Sequence, residues 1–324
     1  MRKKRRFIYD ECNHVYQRAV NGFNIFYDTE DFLLCLTILT TSARKYKVKI
    51  LEVCFMIDHI HLLLAAETCS QMAAFIRHYS SVFVHEYNIG VSRSGQLLQK
   101  SFGSAPRKGD KKTRSTIVYI GNNPVEKKLC RSAEEYRWGF LAYINDRYAF
   151  SNKIHAGDHS KELRKAIREV KIDNELNLYL NPMTLRRLFR KLDQREADVL
   201  TDVIISEYLP MDPKVLLEYY SGYEEMLHAM RSSSGSDHDI KEKYWPGSDM
   251  IYHDMIRYMK EVKGIRQARS ITQLPLNEKQ ELAGELKNAF GATDMQLNKF
   301  LHIRLEDSEM KKETEREKAC RTSI

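Results

Sequence analysis

The sequence predicts an α+β protein: an antiparallel sheet carrying helices on one face, followed by an all-α C-terminal region. Three observations carry that prediction. Over the first 150 residues, strand-like and helix-like stretches alternate in the order β-α-β-β-α-β, with a further helix behind them. From Ser151 the pattern changes to long helices. The composition, 43% hydrophobic and 30% charged over 324 residues, is that of a globular chain with room for two or three domains.

The opening strand is His14 to Val20, which stops at the turn pair Asn21-Gly22. A helix runs from Asp28 to about Tyr46. Acidic residues in its first turn suit the helix dipole, and Phe32, Leu33, Leu36, Leu39 and Ala43 follow helical spacing. Val48 to Phe55 and His59 to Ala66 read as adjacent strands with a tight connection through Met56-Ile57-Asp58. Gln71 to Tyr87 has helical period. Gln96 to Phe102 is a short strand before a basic loop, and Ser115 to Leu129 begins as a helix that Pro124 ends or bends.

Helices are then expected over Lys161 to Val170, Met183 to Asp193 and Arg195 to Tyr208. Small polar residues from Arg231 to Asp239 have linker composition. A helix over Met250 to Lys263 precedes two with legible caps, Asn277 with Gln280 and Thr293 with Gln296. That last pair fits a helix-turn-helix or two members of a small bundle. The organisation is thus residues 1–150 as the sheet domain, 151–230 as a helical region and 231–249 as a linker. Residues 250–304 form a second helical unit, with DNA binding as one reading of it, and 305–324 a charged tail.

Net charge is +8, and the excess is uneven. Arg2, Lys3, Lys4, Arg5 and Arg6 form one cluster; Arg107, Lys108, Lys111, Lys112 and Arg114 form another. Such clusters suit a polyanion, because neutralised phosphates release condensed counterions; a solvated surface is the bland alternative. No run approaches the roughly 18 apolar residues of a membrane span, and no signal-peptide pattern follows the basic N-terminus, so the expectation is a cytoplasmic protein without membrane partners. Six cysteines without a C-x-x-C pair argue against a structural zinc site and a disulfide framework.

Asp58-His59-Ile60-His61-Leu62 is the centre of chemical interest. On a strand, residues two apart share a face, with bases roughly 7 Å apart, so the two imidazoles could hold one divalent metal. Eleven histidines give about 0.4 such pairs by chance, so the flanks matter. Cys54 to Ile57 and Leu62 to Leu64 are apolar, and a half-buried strand would not ordinarily spend that face on two imidazoles. Tyr119 and Asn123 lie four apart, hence on one helical face. Tyrosine is a weak nucleophile at neutral pH, which a metal polarising a phosphate makes sufficient. The Asn123 amide oxygen would be a third ligand.

Asn13-His-Val-Tyr-Gln-Arg18 with Ile25-Phe-Tyr-Asp28 resembles the opening of the REP-associated tyrosine transposases, of the HUH superfamily. Phe55-Met-Ile-Asp-His59-Ile-His61-Leu-Leu-Leu64 resembles their His-hydrophobic-His strand. Gln96-Leu-Leu-Gln-Lys-Ser-Phe102 resembles G-x-L-F-Q-x-R-F, and Tyr119-Ile-Gly-Asn-Asn-Pro-Val125 resembles Y-I-x-x-N-P-V. Arg131-Ser-Ala-Glu-Glu-Tyr136-Arg-Trp138 is similar to the closing pattern. The five matches fall in order across about residues 12–140. The sequence departs from the family at Asp58 (usually Asn), Ile57 (usually Pro), Gln99-Lys100 (no glycine) and Ser101 (usually Arg).

The resemblance implies a ferredoxin/RRM-like HUH domain in a homodimer, acting on single-stranded DNA with a hairpin in the bacterial nucleoid. It implies a Mg²⁺ or Mn²⁺ ion on His59, His61 and Asn123, Tyr119 as nucleophile, and a 5′-phosphotyrosine intermediate. The competing expectations are a non-catalytic or domesticated single-stranded nucleic-acid binder and another HUH endonuclease, a relaxase or replication initiator.

Overall fold

The structure, a computed structural model, describes residues 7–151, 159–233 and 248–303. Arg2, Lys3, Lys4, Arg5 and Arg6, most of the expected linker and the 305–324 tail lie outside the described residues. Strands β1 (Cys12–Arg18), β2 (Lys49–Met56), β3 (His59–Ala65) and β4 (Gly103–Arg107) form one antiparallel sheet in the order β2-β3-β1-β4. Helix α1 (Thr29–Tyr46) links β1 to β2, and α2 (Cys69–Gly90) links β3 to β4. Both cover the face that carries Val15, Gln17, Val53, Phe55 and Leu62, all buried. Phe26 stacks on Phe55 and Phe83 there, and the Tyr79 hydroxyl of α2 donates to Gln17 Oε1 at 2.5 Å.

Two expectations are corrected. The strand expected over Gln96–Phe102 lies later, at Gly103–Arg107. Its Gly, Ser and Pro read as a turn, but β4 is an edge strand, where Pro106 costs no ladder bond. Gly103 is also required, because the ring of Tyr16 occupies the space a Cβ would take. Helices also cover both faces of the sheet, not one. Helix α3 (Asp110–Glu126) packs across β2, β3 and β4 on the side opposite α1 and α2. It starts at Asp110, so Lys111, Lys112 and Arg114 belong to its first turns, and Pro124 sits in its last turn without cutting it short.

Beyond the sheet come α4 (Lys161–Glu175), α5 (Pro182–Phe189) and α6 (Gln194–Glu207). Asp202 of α6 is fully buried and fastens this unit to the sheet domain, accepting from the Tyr143 hydroxyl at 2.6 Å and from Phe150 and Ser151 amides. Then follow α7 (Pro213–Leu217) and α8 (Tyr223–Ser232), the latter packed on α3. The last unit holds α9 (Met250–Glu261), α10 (Leu276–Phe290) and α11 (Asp294–Leu301). Among the described residues, no helix is long and apolar enough to cross a membrane.

This last unit is docked on the sheet domain. Tyr27 and Ile57 join its apolar cluster with Met255, Leu286 and Phe300. Asp31 of α1 bonds Arg269 at 2.5 Å with both side chains essentially buried, and Lys260 pairs with Asp28 at 2.8 Å. Within α11 only Met295 is exposed, and Leu297, Phe300 and Leu301 are buried in the dock.

Glu52 of β2 is 1% exposed, and neither carboxyl oxygen has a hydrogen-bond partner. It lies under Gly121, where α3 comes so close that a Cβ would meet the Met230 side chain at 2.7 Å. Burial holds the Glu52 carboxyl well above its ordinary value. Because the folded value is raised, this group's contribution is full below about pH 4.5 and is lost as pH rises through the folded value. Glu52→Gln cannot ionise. It is expected to remove that slope and to stabilise the fold by about 1–3 kcal/mol at pH 8, read by urea unfolding at pH 5 and pH 8. Parallel profiles for the two proteins would mean that Glu52 is hydrated.

Candidate active site

Strands β3 and β1 are the two central strands, and their alternation decides what lies beneath α3. His14, Tyr16 and Arg18 of β1 share that face with His59 and His61 of β3. The register sets Tyr16 opposite His61 and Arg18 opposite His59. The His59 and His61 rings are 4.7 Å apart at their centroids, edge to face. His14 stacks on His61 at 5.3 Å, with its Nε2 3.1 Å from His61 Nδ1.

Helix α3 supplies the second wall. Its four-residue spacing stacks Asn123 above Tyr119, and the Asn123 amide donates to the Tyr119 carbonyl at 2.9 Å. The Asn123 side chain also neighbours His61. The Tyr119 ring meets His61 at 5.7 Å and His14 at 5.8 Å, edge-on to both. The arrangement therefore brings together all four residues singled out in the sequence, His59, His61, Tyr119 and Asn123.

Electrostatics follow from burial. His61 is fully buried, and desolvation pushes its pKa far down; His14 falls to about 3 through burial and then the nearby Arg107 guanidinium. Both imidazoles are neutral at pH 7, the form that binds cations. Asp58, beside the pair, accepts from His59 Nδ1 at 2.6 Å and from Lys299 Nζ of α11 at 2.9 Å. Burial alone would raise its carboxyl, but His59 and Lys299 outweigh that and hold it well below the usual carboxylate range.

With Nδ1 of His59 engaged by Asp58 and Nδ1 of His61 engaged by His14, the remaining nitrogen of each ring is Nε2. Among the described residues, no group of three or more His, Cys, Asp or Glu is disposed to hold a metal.

The second basic cluster divides. Lys108, Lys111, Lys112 and Arg114 are exposed, Arg114 pairing with Glu225 at 2.9 Å. Arg107 is not a surface cation: β4 turns it inward, where it is 8% exposed and 3.5 Å from His14 Nδ1.

Sequence reasoning missed four residues around the site. His14, Tyr16 and Arg18 alternate visibly along β1, but only the β1–β3 register reveals that they face the histidine pair. Lys299 carried no local signal at all, being 241 residues from Asp58.

Residues 14–123 match the family described as "Transposase IS200 like", a stretch that begins on His14 and ends on Asn123. A solved structure of a REP-associated tyrosine transposase bound to a REP hairpin aligns at 15% identity, covering 49% of this chain and 99% of that one. Its TM-score is 0.40, a likeness too distant to carry an argument. No curated protein matches the chain.

Proposed function

Taking residues 14–123 as an IS200-like transposase domain, we propose that the protein cleaves and rejoins single-stranded DNA near hairpins, through a 5′-phosphotyrosine on Tyr119. The observation that carries this reading is Tyr119 packed edge-on against two neutral histidines, with Asn123 one turn away. In this reading residues 1–150 are the catalytic domain, and the helical regions after it brace the domain and the DNA.

The donor set fits a divalent cation: the imidazoles of His59 and His61 and the Asn123 amide oxygen. Imidazoles favour Mn²⁺, cellular abundance favours Mg²⁺, and either would neutralise charge at a non-bridging oxygen of the scissile phosphate. The Tyr119 oxygen attacks phosphorus in line and releases its proton. The new O–P bond holds the 5′ side of the strand, and the broken P–O bond leaves a 3′-oxygen that takes up a proton. Attack of a 3′-hydroxyl on the phosphotyrosine reverses the exchange and joins strands, one phosphodiester being traded for another.

Arg18, opposite His59, is half-buried and can hold a phosphate oxygen by its fork of donors. The exposed Lys108, Lys111 and Lys112 at the start of α3 suit the DNA backbone, as Arg2 to Arg6 would beyond the described residues. A homodimer is the assembly proposed for two cleavages per reaction.

The test is incubation of the full chain with hairpin-bearing single-stranded DNA from beside its own gene and Mn²⁺, followed by denaturing electrophoresis. A covalent protein–DNA adduct is expected; EDTA and His61→Ala are each expected to lower its yield at least about a hundredfold. Salt-sensitive binding with no adduct under any metal would overturn the catalytic reading in favour of a DNA-binding protein.

A further inference from the structure

We propose that Lys299 is a positioning residue: it holds the Asp58 carboxylate as the hydrogen-bond acceptor of His59 and keeps it out of the coordination of a cation bound by His59 and His61. The inference rests on the metal-site reading above.

An aspartate next to a metal-binding histidine is ambivalent. It can accept the histidine's outer N–H and fix the ring, or it can itself ligate a hard cation. In the second role it would compete with Asn123 and occupy a position that a phosphate oxygen needs. Here both carboxylate oxygens are committed elsewhere: Oδ1 lies 2.6 Å from His59 Nδ1 and Oδ2 lies 2.9 Å from Lys299 Nζ. The side chains of His59, Asp58 and Lys299 are 14%, 19% and 20% exposed, so solvent screens the three only in part.

The lysine is held as firmly as the carboxylate. Its stem lies over Gly22, where no side chain intervenes, and its carbonyl accepts from the Asn24 amide at 3.0 Å. On either side along the chain, the Phe300 carbonyl takes the Tyr27 hydroxyl at 2.5 Å and His302 bonds the Asn24 carbonyl at 2.7 Å. In turn, the Asp58 carbonyl accepts from Ala19 and the Ile57 carbonyl from Ile25. Helix α11 and the turn beside the histidines are thus stitched to one loop. Removing the ammonium would free one oxygen of Asp58 and leave its charge uncompensated, with Asp249 contributing a further carboxyl to the same neighbourhood.

The experiment measures Mn²⁺ binding to the full chain by the electron paramagnetic resonance of free Mn²⁺, without DNA. Lys299→Met is expected to tighten binding roughly tenfold, the direction set by losing a cation close to a divalent ion. Water-proton relaxation should show one fewer water on the bound ion. Lys299→Arg keeps the charge and should bind as the wild type does. In Asp58→Asn/Lys299→Met the gain should vanish, because no carboxylate remains to approach the ion. Tyr27→Phe loosens the same dock without touching Asp58; it should lower Tm and leave Mn²⁺ affinity unchanged. Lys299→Gln replaces Lys299→Met should the latter fail to fold. Wild-type or weaker affinity in Lys299→Met, or in Lys299→Gln where it replaces it, overturns the proposal. Undiminished binding in His61→Ala would instead overturn the metal-site reading itself, a separate result.

Discussion

Tyr119→Phe is expected to abolish the covalent protein–DNA adduct and to lower strand cleavage by at least about a thousandfold, since it removes the oxygen proposed to attack. DNA affinity should stay within about twofold, because the ring that packs against His14 and His61 is retained. For the same reason Tm should barely change. The measurement is a denaturing gel for adduct beside an equilibrium binding curve on the same hairpin DNA. If the adduct persists, the nucleophile is another residue. Tyr16 would be the next to replace, because it shares the face of the sheet and lies opposite His61.

Asp31→Asn should be among the most destabilising single changes in the protein, at about 3–5 kcal/mol. The carboxylate accepts from Arg269 through Oδ1 and from the Tyr27 and Asp28 amides through Oδ2, inside the capping box that starts α1. Asparagine removes the charge and turns one acceptor into a donor. That leaves the Arg269 guanidinium, 1% exposed over the Tyr87 ring, without the carboxylate bonded to it, and with only Glu30 and Asp28 as remaining counter-charges. Adding Arg269→Met to this variant should recover part of the loss, since the cost lies in the stranded cation more than in the missing pair. Urea unfolding of the two variants checks both statements, and a loss under about 1 kcal/mol for Asp31→Asn would mean that water reaches the pair.

Much of the sheet domain was legible because its signals are local. The α1 capping residues, the alternation through His59 and His61, and the helical spacing of Tyr119 and Asn123 are each contained in a few consecutive residues. What was not legible depends on register and on distant contact. Gly103-Ser-Ala-Pro-Arg107 has turn composition and becomes a strand only because β1 offers an open edge and Tyr16 needs a glycine beneath its ring. Arg107 read as surface charge because neighbouring lysines are, while its strand parity turns it inward. The cap of α11, Thr293 with Gln296, was readable; the box read at Asn277 with Gln280 is not formed, because α10 starts at Leu276 behind Pro275 and takes Asn277 inside the helix. Nothing in either foretold that α11 would lie against Asn24, Tyr27 and Asp58.

The stitching of α11 to the loop after β1 imposes a timetable on the newly made chain. Everything from His14 to Asn123 leaves the ribosome long before Lys299 does, by on the order of ten to thirty seconds at ordinary elongation rates. During that interval Tyr27 and Ile57 lack the apolar cover that α9 to α11 later provide, and Arg269 has not yet arrived to meet Asp31. The half-made protein therefore has its histidines before it has their brace, and an apolar patch that chaperones can hold. The brace beside the histidines waits for α11, so a chain interrupted before it would expose Tyr27 and Ile57 and be an early target for proteolysis.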